Sequence, residues 1–219
     1  MILINESINK LKIIQENLKN LSNSSKPHII CVSKTFPLSK LEPLINFGHC
    51  HFGENKVQEA EIKWSQIVKI NKNLKIHMVG KLQSNKAKKA INIFSFIHSL
   101  DNPKLADVCK KSEEELNKKI SYFIQVNIGN ESQKSGVLMK DVKSFLKYCS
   151  VENKLNIIGL MVLPPNDTNT EKYFEDISKL NSELGLKDLS MGMSADYKIA
   201  AKHKSTYLRI GSAILGPRT

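Results

Sequence analysis

Three groups of residues in this 219-residue chain have types and spacing that could do chemistry. Lys34 stands just past the apolar run His28-Ile29-Ile30-Cys31-Val32. An amine at the mouth of a buried strand is partly desolvated, which depresses its pKa and keeps a fraction neutral at pH 7. A neutral amine attacks an aldehyde and forms a Schiff base. The plain alternative is a strand-end lysine pointing to solvent, one of 31 in the chain (33 Lys plus Arg, less Arg209 and Arg218). Arg209 lies within Tyr207-Leu208-Arg209-Ile210, inside an apolar strand pattern. A charge there needs a ligand or a partner, and an interior acid is the structural alternative. The third group is a pair of Gly–Ser sites. Met191-Gly192-Met193-Ser194-Ala195 reads as opening a helix, and Gly211-Ser212-Ala213 follows the last strand. Helix N–H groups, a close-approach glycine and a hydroxyl suit a phosphate dianion. Lys134, in Gln133-Lys134-Ser135-Gly136, is a further amine of the same kind, with an exposed loop lysine as its alternative.

Other chemistries find no support. The six histidines (His28, His49, His51, His77, His98, His203) show no H-E-x-x-H and no metal spacing with cysteine, so no metal is expected. G-x-S-x-G, G-x-x-x-x-G-K-[ST] and G-x-G-x-x-G are absent. Lys86-Ala87-Lys88-Lys89 reads as a solvated helix face. Cys31, Cys50, Cys109 and Cys149 are scattered without a C-x-x-C pair, which fits buried thiols in a reducing cytoplasm.

Positioning these groups falls to a repeating alternation of elements. Apolar residues at Ile4, Ile8, Leu11, Ile14, Leu18 and Leu21 form one helical stripe, and Ser22–Pro27 breaks it. Strands then read at His28–Val32, His51–Gly53, Lys75–Gly80, Phe96–Leu100, Tyr122–Ile128, Ile157–Val162, Asp188–Met193 and Tyr207–Leu215. Between them, helical spacing covers Leu38–Phe47, Val57–Ile70, Asn85–Ile91, Lys140–Tyr148, Thr170–Leu184 and Ala195–Lys202. Asn102 and Pro103 mark an N-cap and first turn for one more. Eight strands alternating with helices predict a parallel sheet, most simply a single closed (β/α)₈ barrel of the TIM type with an extra N-terminal helix, over residues 1–219 as one domain. A doubly wound open sheet is the alternative. In such a barrel, function sits at the C-terminal strand ends, where Lys34, Asn55, Ser194, Gly211 and Ser212 fall.

Composition narrows the class. With 41% hydrophobic and 25% charged residues the chain is ordinary for a soluble globular protein. No apolar run suits a membrane span, and the polar-punctuated N-terminus lacks a signal-peptide pattern. The net charge of +12 invites a nucleic-acid reading. Arginine, the residue suited to bidentate phosphate and base contacts, is almost missing, and the lysines are dispersed. The charge reads as compositional background, and no nucleic-acid partner is expected.

The motifs Val32-Ser33-Lys34-Thr35, Phe52-Gly53-Glu54-Asn55-Lys56-Val57-Gln58-Glu59, His77-Met78-Val79-Gly80-Lys81-Leu82-Gln83-Ser84-Asn85-Lys86, Lys134-Ser135-Gly136, Gly159-Leu160-Met161, Leu189–Ser194 and Arg209–Gly216 follow one another along nearly the whole chain. In these the chain closely resembles the pyridoxal phosphate homeostasis proteins, whose fold is similar to the N-terminal barrel of alanine racemases. The resemblance implies that Lys34 carries pyridoxal 5′-phosphate (PLP) as a Schiff base. It places the phosphate on Ser194, Gly211 and Ser212, turns Arg209 to the pyridine nitrogen, and lines the pocket with Asn55, His77 and Met161. Ser212 stands where threonine is common and Lys81 where proline is common. Racemases of this fold take a second base, a tyrosine, from a separate C-terminal domain and a dimer partner. With 219 residues expected to be used up by the barrel, the resemblance implies a monomeric, non-catalytic PLP carrier exchanging cofactor with free amino acids or apo-enzymes. A small PLP-dependent amino-acid racemase is the alternative.

Overall fold

The computed structural model describes residues 5–21, 26–131, 133–165 and 167–217. Ile4 of the expected helical stripe, Ser22–Ser25 of the expected break and Arg218 lie outside the described residues.

Among the described residues there are nine strands, eight of them on the expected apolar runs: β1 (His28–Val32), β2 (His51–Glu54), β3 (Lys75–Met78), β4 (Phe96–Leu100), β5 (Ser121–Asn127), β6 (Val137–Leu138), β7 (Asn156–Val162), β8 (Asp188–Ser190) and β9 (Tyr207–Ile210). Eight of them pair in parallel in the order β4-β3-β2-β1-β9-β8-β7-β5, and pairing of β4 with β5 closes the ring. The two-residue β6 lies outside the ring against Val126 and Asn127 of β5 and was not legible as a strand. The closed ring settles the barrel over the open sheet.

Helices cover the outside: α1 (Glu6–Lys19), α2 (Leu38–Asn46), α3 (Val57–Trp64), α4 (Ile67–Ile70), α5 (Ala87–Ile93), α6 (Pro103–Leu116), α7 (Val142–Lys147), α8 (Thr170–Glu183), α9 (Tyr197–Lys202) and α10 (Ser212–Leu215). The extra N-terminal helix is α1. Its Leu11, Ile14 and Leu18 are buried, it packs on α2, α9 and α10, and Asn17 Nδ2 donates to the Tyr197 hydroxyl at 3.1 Å. Asn102 caps α6 by accepting from the Leu105 N–H at 2.9 Å, with Pro103 in the first turn.

Several expected boundaries are corrected, and two strands stop early, β3 at Met78 instead of Gly80 and β8 at Ser190 instead of Met193. The continuous helix over 57–70 is two, α3 and α4, with its break after the fully buried Trp64. The last strand stops at Ile210 instead of Leu215, because Gly211 leaves the extended region (φ −111°, ψ −81°) and its carbonyl accepts from Ile214 and Leu215 N–H, both at 2.9 Å. The helix after β8 starts at Tyr197, two residues beyond Ala195.

Strand alternation divides the barrel into two apolar sets. One set, with Cys31, Phe52, Ile76, Ile97, Ile124, Leu160, Leu189 and Ile210, packs under the helices. The other, Ile30, Phe123, Met161 and Tyr207, fills the interior with Phe96. Gly53 belongs to the inner face, since a Cβ there would stand 2.9 Å from the Ile30 side chain. Lys34 continues the inward parity of Ile30 and Val32, which carries it to the barrel mouth.

Candidate functional site

One cleft of about 440 Å³ opens at the C-terminal strand ends, lined by Val32, Lys34, Asn55, Val79, Leu163, Met193, Ser194, Ala195, Arg209, Gly211 and Ser212. That volume is in the range of small-molecule sites. Six expected residues therefore meet in one place: Lys34, Asn55, Ser194, Arg209, Gly211 and Ser212.

Lys34 is half-buried, and the residues on both sides of it are clamped. The Ser33 hydroxyl donates to the fully buried Glu54 carboxylate at 2.7 Å. The same Glu54 oxygen accepts from Lys63 Nζ and from Trp64 Nε1, both at 2.9 Å. Lys63 also donates to the Ser33 carbonyl at 2.8 Å. On the other side, Thr35 takes a positive φ of 70°, and its N–H donates to Glu59. Both acids come from the Phe52–Glu59 motif, so that motif clamps the lysine from outside the barrel.

Arg209 is 4% exposed at the floor of the cleft. Nη1 donates to Ser190 Oγ at 2.6 Å and Nη2 to the Val162 carbonyl at 2.8 Å. Burial lowers its pKa to about 10, against a smaller opposing effect of Asp196. The interior acid considered as its partner is not there: among the described residues it pairs with no carboxylate.

The two Gly–Ser loops are tied together, since the Ala213 N–H donates to Ser194 Oγ at 3.2 Å. Ser194 is therefore held by the loop after β9 and does not cap α9, whose first residue is Tyr197. Gly192 is required in its loop: its φ is +90°, and a Cβ would stand 2.5 Å from that of Ala200. Asn55 sits where its carbonyl would lie 2.5 Å from a Cβ on Gly80, so that glycine lets the loops after β2 and β3 approach.

His77 and Met161, expected along the pocket lining, lie one layer lower. Both are fully buried. His77 is inside β3, stacked on Phe96 at 4.4 Å, and Val79 takes the lining position. Met161 packs with Ile30, Phe123 and Tyr207, and Leu163 lines the cleft instead. Lys134 pairs with Glu131 at 2.5 Å and lines an adjoining cleft of about 380 Å³ with Asn55, Gly80, Lys81 and Asn127. Sequence reasoning missed Ser190, His98 and the Glu54–Lys63 pair. The available signal was strand parity, which puts Ser190 and His98 on the inner face.

A lysine at a strand mouth, two hydroxyls on tied loops and a guanidinium on the floor form a donor set suited to a phosphorylated aldehyde bearing a ring acceptor. The fold and this site define the class, a barrel of the alanine racemase type. The family model for the alanine racemase N-terminal domain matches residues 10–219. The chain belongs to this family and, within it, to the pyridoxal phosphate homeostasis proteins. The relative of that name from Aquifex aeolicus is 34% identical over 199 residues, 87% of this chain and 86% of its own. PipY of Synechococcus elongatus PCC7942, solved without PLP, superposes with a TM-score of 0.87 at 32% identity, over 97% of this chain and 100% of that one. Its structure with PLP bound gives 0.81 at 33% identity, over 93% and 100%.

Proposed function

We propose that this barrel, residues 1–219 read as one unit, is a PLP carrier in cofactor homeostasis and holds PLP as a Schiff base on Lys34. The observation that carries the reading is the convergence of Lys34, Arg209, Ser194, Gly211 and Ser212 on one cleft. Support also comes from the PLP-bound PipY structure and from the relatives' name. Lys34 supplies the amine. Ser194 and Ser212, with the backbone at Gly211, would receive the phosphate, and Arg209 would donate to the ring nitrogen. PLP supplies an aldehyde that exchanges between amines.

The non-catalytic reading rests on the lining. Among the described residues its titratable side chains are Lys34 and Arg209, with no tyrosine to act as a second base. An arginine facing the ring nitrogen leaves that nitrogen unprotonated and weakens the cofactor as an electron sink. Free amino acids or apo-enzymes are the exchange partners this supports, with the protein monomeric in the cytoplasm.

The test is an absorbance spectrum of the purified protein with added PLP, before and after borohydride reduction, followed by peptide mapping. The expected result is a Schiff-base band converted to a stable label on Lys34 and lost in Lys34→Ala. Wild-type protein that takes up no PLP would sink the proposal. Deuterium exchange at the α-carbon across an amino-acid panel would replace it with the racemase.

A further inference from the structure

An unbroken line of polar contacts runs through the barrel interior beneath the cleft. Arg209 Nη1 donates to Ser190 Oγ at 2.6 Å, and Ser190 Oγ lies 2.9 Å from His98 Nδ1. His98 Nε2 lies 2.9 Å from His77 Nδ1, and His77 Nε2 lies 2.9 Å from His51 Nδ1. Ser190, His77 and His98 are fully buried. Phe96 stacks on His77 and Phe123 on His98, at 4.4 and 4.3 Å. The line ends at the opposite mouth, in a cavity of about 340 Å³ lined by His28, His49, His51, Lys19 and Lys26 among others.

One group sets the direction of every proton in this line. A guanidinium has only donors, so Ser190 Oγ accepts from Arg209. The Ser190 hydroxyl proton then needs an acceptor, and His98 Nδ1 is the one in reach. Were His98 Nδ1 protonated, Ser190 would accept twice and its own proton would face no acceptor among the described residues. A buried donor left so is strongly disfavoured. With Nδ1 accepting, neutral His98 carries its proton on Nε2 and donates to His77 Nδ1. The same logic makes His77 donate to His51. Burial favours the neutral form of all three rings.

We infer that His98 and His77 are positioning residues for Arg209, acting through Ser190 as a one-way hydrogen-bonded column that holds the guanidinium at the floor of the cleft. The column anchors one guanidinium nitrogen and the Val162 carbonyl anchors the other, so the side chain can swing toward neither wall. A floor held as a fixed donor accepts only a ligand with an unprotonated ring nitrogen. The column itself is a property of the protein alone; its consequence for ligand choice rests on the PLP reading above.

The test separates these two parts. Long-range proton–nitrogen spectra of the ¹⁵N-labelled apo protein at pH 7 should show His51, His77 and His98 each as the Nε2–H tautomer. Any of the three found protonated on Nδ1 overturns the column, whether or not PLP binds. In Ser190→Ala, His98 and His77 should become tautomer mixtures, and PLP should bind about tenfold more weakly while still reducing onto Lys34. Unchanged tautomers together with unchanged PLP affinity in that variant refute the positioning role. If Ser190→Ala fails to fold, the wild-type tautomers still decide the column, and His98→Gln, whose amide oxygen can accept from Ser190, should keep wild-type PLP affinity. Loss of affinity in His98→Gln as large as in a folded His98→Phe would refute it too. Wild-type protein that takes no PLP defeats the cofactor reading and leaves the tautomer result standing.

Discussion

The hydroxyl of Ser33 and the carboxylate of Glu54 are 2.7 Å apart, and that contact holds the backbone immediately before Lys34. Glu54 and Lys63 are 0% and 8% exposed in their side chains, so neither has water to fall back on. Glu54→Ala would leave Trp64 Nε1 without its acceptor and Lys63 with only Glu59 and the Ser33 carbonyl, while the Ser33 hydroxyl keeps the Gly53 carbonyl at 3.3 Å. Removing one partner of a buried pair costs about 3–5 kcal/mol. Because Lys63 keeps Glu59 at 3.1 Å, urea unfolding should show a loss at the lower end of that range, with a smaller one for Glu54→Gln, which keeps the shape and one acceptor. A loss below about 1 kcal/mol in Glu54→Ala would mean the pair is solvated in solution.

Gly80 is the second backbone determinant of the cleft. Its φ is not positive, so alanine would be tolerated by the backbone and opposed only by Asn55, whose carbonyl would lie 2.5 Å from the new Cβ. Gly80→Ala should destabilise the fold by about 1–3 kcal/mol and, by shifting Asn55, weaken PLP retention. At Gly48 φ is +95° and nothing stands within 4 Å of a Cβ. Gly48→Ala should cost about 1–2 kcal/mol from conformation alone and leave PLP binding unchanged. Paired urea titrations and PLP dissociation rates separate the two. Equal PLP affinity in both variants would show that Asn55 does not shape the cleft.

Much of this is legible in the sequence, and the reason is periodicity. β1 and β4 coincide with their apolar runs because parallel strands buried on both faces are continuously apolar. Lys34, Arg209 and the two Gly–Ser loops stood out because a strand end or an interior charge is visible in one dimension. The depth of His77 was not legible, since a residue inside a strand and one at its end differ only by where pairing stops. Gly211 misled the reading of Ser212–Leu215, whose composition suits a strand while the glycine turns the chain into α10. The Glu54–Lys63–Ser33 cluster joins residues 9 and 30 apart in sequence, which no local pattern announces.

The cysteines give a prediction free of the cofactor. Cys31, Cys109 and Cys149 are buried free thiols, and Cys50 is half-buried. Burial raises the thiol pKa of Cys109 and of Cys149 to about 12 and raises that of Cys31 further. The reactive species is the thiolate, so these three should be inert to a thiol reagent at pH 8. Native protein should react at one thiol at most, Cys50, and at all four after denaturation. Rapid labelling of Cys31 in native protein would contradict its burial between β1 and the helices.

Acid should unfold this protein earlier than its carboxylates alone would require. Burial lowers His49 and His51 to about 4, and holds His77 and His98 well below the ordinary value. Each ring binds a proton in the unfolded chain near pH 6.5 and resists it in the fold. Between those pH values the unfolded state holds more protons, so stability rises with pH there and falls as pH drops. The contribution is complete above about pH 7 and is lost progressively from about 6.5 down to the folded pKa values. By pH 5 the loss is of the order of 2 kcal/mol for each ring that stays neutral. Urea midpoints should therefore be level from pH 8 to 7 and fall steeply toward pH 5. His98→Gln, which removes one titrating ring from the interior, should make that slope shallower even where it lowers stability at pH 8. A midpoint that stays level down to pH 5 in the wild type would show that these rings reach water, and would place the histidine column in a more open interior than the structure describes.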